Sequence, residues 1–220
     1  MEPVTIENVL LHLRDFLVLW ITQILYHNRI YPANAFDKRR YLDLIVYQSR
    51  VPTLSEFLKG FANEMVSVLV TKSGGGKVHD VIVLIYNEAN LHITKRYMVN
   101  FCQFVGLAEQ VSSLEFLTKT TETRSARIEL PDMTWTNIYT YLRSMIFFHI
   151  EELKRTQEPQ QNQLFFKLLL NLEDRANLSS ENAKWVKLTS EESQKKVKLV
   201  SLGEVSVGFL CFDMHNEYIL

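Results

Sequence analysis

The residues able to do chemistry are few, and their spacing suits none of the common reactions. Ser73-Gly74-Gly75-Gly76-Lys77 offers glycine backbone N–H groups and a lysine, the ingredients of a phosphate cradle. A phosphate loop, however, runs Gly, four residues, Gly-Lys-Ser/Thr, and leads from a strand into a helix. Here Val78 follows the lysine, and the order is helix, loop, strand, so the segment reads as a flexible linker. The histidines at 12, 27, 79, 92, 149 and 215 show neither H-x-x-x-H nor H-x-x-C spacing, and no zinc ligand set emerges from them. Glu151 and Glu152 are adjacent on a helix and point in different directions, which rules them out as an acid–base couple. There is no G-x-S-x-G elbow. His92 with Glu88 is what remains for an enzyme site built from scattered residues. Cys102 and Cys211 lie far apart in sequence and read as two free thiols in a reducing compartment, neither a disulfide framework nor a metal site. No catalytic residue, metal or cofactor is expected.

Charge excludes as much as spacing does. The chain has 220 residues, 47% of them hydrophobic and 22% charged, ordinary values for a globular protein with a real core. Its formal net charge is −1 and its pI about 6.6, without the basic surplus of a protein built to grip nucleic acid. Asp37-Lys38-Arg39-Arg40 and Lys195-Lys196-x-Lys198 read as solvated charge at element ends. Glu2 and Glu7 stand where a secretory leader would be basic, and the apolar stretch FLVLWITQIL (16–25) is too short to span a bilayer. A cytosolic or nuclear protein without membrane association is expected.

The elements follow from periodicity. Residues 5–29 predict a helix apolar nearly all round and therefore central, ended by Pro32 through its constraint on Tyr31. Residues 53–70 predict a second helix, opened by a Thr53–Glu56 capping box, with Leu54, Leu58, Phe61, Met65 and Val68 as its core stripe. VHDVIVLIY (78–86) predicts a buried strand. LHITKRYMV (91–99) predicts its hairpin partner, with Leu91, Ile93, Tyr97 and Val99 inward. A third helix is expected from Asp132 or Thr134 to about Lys154. LFFKLLLNL (164–172) is expected as a strand, and AKWVKL (183–188), KVKLVSL (196–202) and VSVGFLCF (205–212) as short strands in the tail. This is an α+β chain with three helices on one face of a mainly antiparallel sheet.

The stretch ILYHNRIYPANAF (24–36) goes further. Tyr26, Ile30, Tyr31, Pro32 and Phe36 resemble the signature at the end of the first helix in HORMA-domain proteins, and the element order is similar over roughly residues 8–215. Pro32 would fix the exit of the helix, with Tyr31 and Phe36 plugging the corner. Within that family, Pro52-x-Leu54, Trp185-Val186-Lys187, Val197-Lys198-Leu199-x-Ser201-Leu202 and Val207-Gly208-x-Leu210 are similar to the accessory, non-catalytic subunits of DNA polymerase zeta, fungal versions above all. Residues 100–130 match no pattern of the family.

The resemblance implies a single binding domain over 1–220, with a core of about 5–170 and a C-terminal seat-belt segment of about 171–220 that traps an extended peptide. The peptide would add a strand to the sheet and be held by main-chain hydrogen bonds. It implies a peptide of the polymerase zeta catalytic subunit as ligand, and the C-terminal domain of a scaffold translesion polymerase as second partner. It places Phe57 and Trp185 on the walls of the peptide groove. It places Leu199, Leu202 and Asp213 at the scaffold interface, and Arg143 at a homo- or heterodimer contact between HORMA domains. From the residues alone, Phe57 reads equally as core, Trp185 as a tail anchor and Arg143 as a solvated helix residue with a packed stem. A spindle-checkpoint member, which binds closure peptides and switches between open and closed forms, is the alternative within the family.

Overall fold

The computed structural model describes residues 4–70, 78–89, 91–104, 134–156, 163–172 and 196–220. In chain order these form α1 (Ile6–His27), a hairpin of β1 (Phe36–Tyr41) and β2 (Leu44–Ser49), then α2 (Pro52–Val70). A second hairpin of β3 (Val78–Asn87) and β4 (Ile93–Phe104) comes next, then α3 (Trp135–Arg155) and β5 (Leu164–Leu172). The C-terminal hairpin is β6 (Val197–Ser206) and β7 (Leu210–Ile219). Apart from the β1–β2 ribbon the strands make one five-stranded sheet in the order β5-β3-β4-β7-β6, antiparallel at every join. The fold is α+β, as the periodicities require.

α1 is the central helix. Leu10, Phe16, Leu17, Trp20, Ile21, Ile24 and Leu25 are fully buried, and the Phe16 ring lies 5.7 Å from that of Phe212 on β7. The complete helix is long and apolar enough to cross a membrane by length and composition, which the short stretch 16–25 is not. In the fold it is sheathed instead, as a helix apolar all round must be. Its end is set earlier than Pro32. The Ile30 N–H reaches Leu25 O and the Arg29 N–H reaches Tyr26 O, both at 3.0 Å, with Arg29 at φ +56°. That is a Schellman cap with arginine in the left-handed position where glycine is usual. The corner is also plugged differently from the expectation. Phe36 is buried, but its ring partner is Tyr26, 5.4 Å away, and Tyr26 stacks on Tyr47 at 3.4 Å. Burial, then the Tyr47 hydroxyl, push the Tyr26 phenol up to about 12. Tyr31 is only half-buried and points elsewhere.

Other local expectations shift by a residue or two. α2 starts at Pro52, whose fixed φ suits the first helical position, so Thr53 lies inside the helix and the capping box does not define its start. Leu91 is not inward: it stands 72% exposed at φ +56° in the β3–β4 turn, and β4 begins at Ile93. The inward residues of β4 are Lys95, Tyr97, Val99 and Phe101. α3 does begin at Thr134, whose Oγ1 accepts from the Asn137 N–H at 3.2 Å. The strand expected at 183–188, the glycine loop at 73–77 and most of 100–130 lie outside the described residues.

Candidate functional site

β5 is an edge strand: among the described residues its only neighbour is β3. Leu164, Phe166, Leu168, Leu170 and Leu172 pack on the core, yet none is fully buried. Apolar side chains that face a core and remain half-exposed mark a sheet edge still open to a further strand. On the opposite face Phe165 stacks on Tyr86 at 5.9 Å, and Lys167 Nζ lies 5.2 Å over the Tyr86 ring. These contacts fix β5 on β3, and among the described residues its outer edge is unpaired.

Two aromatic side chains flank that edge. Phe57 on α2 is 54% exposed, with its ring 6.4 Å from that of Phe166. It lies off the buried stripe of Leu54, Leu58, Phe61, Ala62 and Met65, so it is not core. Tyr31, carried out of α1 by the Pro32 corner, is also 6.4 Å from Phe166. Sequence reasoning placed Phe57 here and missed Tyr31 and Phe166. The two adjacent phenylalanines of LFFKLLLNL, one of which must face the core side of the strand, were the signal available for the latter. Trp185 lies outside the described residues.

The other residues singled out from sequence lie apart from this edge. Leu199 on β6 is 59% exposed, while Asp213 on β7 is half-buried and accepts from Cys102 Sγ at 3.2 Å. Leu199 pairs opposite Glu217, which shares strand parity with Asp213, so both sit on the sheet face away from the core. Leu202, the extra residue of the bulge between Ser201 and Gly203, packs against the core instead. Arg143 is exposed on α3, and its Nε donates to the Leu42 carbonyl at 3.1 Å, tying the helix to the β1–β2 turn. Tyr141, Phe147 and Phe148 are exposed on the same helix, at 45%, 43% and 54%. Glu88 and His92 are both exposed at the β3–β4 turn. Glu151 pairs with Lys154 at 2.7 Å, while Glu152 is buried and accepts from the Tyr218 hydroxyl at 3.3 Å.

The HORMA domain family model matches residues 9–209. The chain belongs to the HORMA family. The chain is 27% identical over 137 residues to a DNA polymerase zeta processivity subunit of Arabidopsis thaliana, a match covering 60% of this chain and 62% of that protein. It is 38% identical over 74 residues to a protein of the same name from Schizosaccharomyces pombe, covering 34% of this chain and 33% of that one. The matched stretches span less than two thirds of either relative. Among solved structures, a chain of the mitotic checkpoint complex superposes with a TM-score of 0.70 at 15% identity, covering 96% of this chain and 98% of that chain. Caenorhabditis elegans HTP-2 bound to HTP-3 closure motif 1 superposes with a TM-score of 0.67 at 8% identity, covering 98% and 88%. At these identities the superpositions speak for the fold alone.

Proposed function

We propose that this HORMA domain is a non-enzymatic adaptor that traps a peptide of the DNA polymerase zeta catalytic subunit along the outer edge of β5. It bridges that subunit to the C-terminal domain of a scaffold translesion polymerase during DNA-damage bypass, and its place of work is the nucleus. The observation that carries the reading is the β5 edge beside Phe57, Tyr31 and Phe166, which is unpaired among the described residues. The names of the plant and fission-yeast relatives support the polymerase assignment. Sheet topology supports the seat belt. β5 ends at Leu172 on one edge of the sheet and β6 starts at Val197 on the opposite edge. Strand spacing puts these edges roughly 19 Å apart, and the register sets Val197 level with about Phe165, roughly 23 Å back along the strands, so the two ends lie about 30 Å apart, which the intervening chain covers more than twice over when extended. A belt at about 171–220, carrying Trp185, has the reach to pass over a peptide seated on β5. Leu199 and Asp213 share the outward face of the far hairpin, four β7 residues apart in register, where they serve as the scaffold contact, with Leu202 packed on the core.

Isothermal titration against a proline-containing segment of the catalytic subunit, beside a checkpoint closure peptide, tests the reading. Binding of the polymerase segment alone is expected. Phe57→Ala is expected to weaken it by about tenfold or more, since a flanking aromatic buries much of its ring on binding. Trp185→Ala should act in the same direction. Binding of the checkpoint peptide alone would keep the fold and reassign the function. Binding of neither would end the peptide reading.

Arg143, framed by the exposed rings of α3, is the proposed contact between HORMA domains. Sedimentation velocity of the wild type is expected to show a concentration-dependent dimer that Arg143→Ala abolishes. A wild type that stays monomeric at high concentration removes that contact.

A further inference from the structure

Cys102 and Cys211, the only cysteines of the chain, are distant in sequence and adjacent in the fold. β4 and β7 are antiparallel neighbours, with Phe101 opposite Phe212 and Gln103 opposite Cys211. Cys102 is the extra residue at the bulge between those two pairs. Phe101 and Phe212 turn into the core, their rings 5.9 Å apart, which sends both cysteines to the other face. Cys102 is exposed and Cys211 half-buried, both are free thiols, and the register sets them side by side on neighbouring strands. Asp213 Oδ2 accepts from Cys102 Sγ at 3.2 Å, His215 Nδ1 holds the other Asp213 oxygen at 3.3 Å, and the Glu204 carboxylate faces Cys211 from β6. Asn100 completes the surroundings from β4, its Oδ1 3.7 Å from Cys102 Sγ.

We propose that this pair is a reversible oxidation site, at which Cys102 and Cys211 close an intramolecular disulfide across β4 and β7 at the expense of a low-molecular-weight disulfide such as glutathione disulfide. The Cys102 thiolate attacks one sulfur of the glutathione disulfide, forming a mixed disulfide and expelling one glutathione thiolate. The Cys211 thiolate then attacks the Cys102 sulfur and expels the second. The two protein thiol protons end on the two glutathione thiols, so two cysteines are oxidised and one disulfide is reduced. The product is a covalent staple between the C-terminal hairpin and the rest of the sheet. For a trapped peptide the staple slows release, a consequence that rests on the peptide reading; the disulfide itself does not.

The neighbours set the reactivity. Desolvation of the sulfur, then the Asp213 carboxylate, push the Cys102 thiol up to about 12, and desolvation, then Glu204, raise that of Cys211. Since the thiolate is the nucleophile, the pair is quiet at neutral pH, and its exchange rate climbs roughly tenfold per pH unit above it. Asp213→Asn removes the nearest negative charge and speeds the reaction several-fold at a given pH.

The test incubates the full chain with glutathione disulfide at about pH 8.5 and follows intact mass and non-reducing peptide maps. The expected product has lost two hydrogens, links the Cys102 and Cys211 peptides, unfolds at higher urea, and reverts with dithiothreitol. Cys102→Ser and Cys211→Ser should each stop at a stable glutathione adduct. A wild type that accumulates the adduct without closing the bond overturns the site. So does one that stays reduced while the urea-unfolded chain oxidises. Peptide dissociation rates, measured on the oxidised form, report separately: a formed disulfide without slower release discards the consequence for the peptide and keeps the site.

Discussion

Between pH 7 and pH 5 the protein is expected to lose roughly 2 kcal/mol of stability through His149 alone. His149 is fully buried on α3, its ring 6.0 Å from those of Trp20 and Tyr97, and neither ring nitrogen has a hydrogen-bond partner among the described residues. Burial, then the nearby His27, lower it to about 3. His27 is itself lowered to about 4 by burial, then by Lys154, with Glu151 opposing. A histidine whose folded value lies below the unfolded 6.5 takes its proton first in the unfolded chain. Stability is therefore whole above about pH 6.5 and falls by up to about 1.4 kcal/mol per unit as pH drops toward the folded value. His27 adds a comparable loss over the same window and levels off sooner, near pH 4, because its folded value is the higher of the two. The Glu151 carboxylate, held below its usual range by its hydrogen bond to Lys154, acts only at lower pH, because its contribution is complete above the unfolded carboxylate value. Urea midpoints from pH 7 to pH 4.5 measure the slope. His149→Leu should remove about half of it, the rest belonging to His27, and raise stability at pH 7, since two buried nitrogens without partners go with the ring. An unchanged slope in that variant would assign the acid sensitivity elsewhere.

The sequence showed those elements whose hydrophobic period was strong. α1, α3 and β3 to β5 are where the apolar spacing puts them. The β1–β2 ribbon was not foreseen, and its residues explain why. β1 reads FDKRRY, with charge on both faces, because only its first residue, Phe36, is buried and the strand beyond it runs along the rim, where nothing imposes alternation. Its turn is Leu42-Asp43, at φ +45° and +62°, where Asn-Gly would have announced a hairpin. The same holds for the site. Phe57 was legible because a family pattern pointed to it, whereas the role proposed for it as groove wall depends on Phe166, more than a hundred residues later and brought near only by the sheet. The cysteines failed for a related reason: spacing along the chain says nothing about two residues that meet across β4 and β7. Lys95 was hidden most completely, since no apolar period predicts a lysine facing the core.

That lysine supports the second large effect: Asn28→Ala is expected to cost about 3 kcal/mol. Asn28 caps α1 and is 8% exposed; its Nδ2 donates to Ile24 O and to the Tyr97 hydroxyl, both at 2.9 Å. Its Oδ1 lies 3.2 Å from Lys95 Nζ, which also donates to Thr156 O at 3.2 Å and is 7% exposed. Thr156 Oγ1 and Glu152 in turn meet the hydroxyl of Tyr218 on β7, at 3.4 and 3.3 Å. One amide therefore links the end of α1, the middle of β4 and, through the last turn of α3, the C-terminal hairpin. Truncating it removes an acceptor from a buried ammonium that water cannot readily reach, and such a loss costs far more than the net worth of a hydrogen bond. The comparison that isolates this cause is Asn28→Ala with Lys95→Met, which removes the charge together with its acceptor. If the desolvated ammonium is the source of the cost, the double variant regains at least half of the lost stability in urea unfolding. If it is no more stable than Asn28→Ala alone, the cost lies in the helix cap. Hydrogen exchange distinguishes these further. Loss of the ammonium's acceptor should loosen β7 amides near Tyr218 along with those of β4, because the network joins them, whereas loss of a cap should be felt only in the last turn of α1.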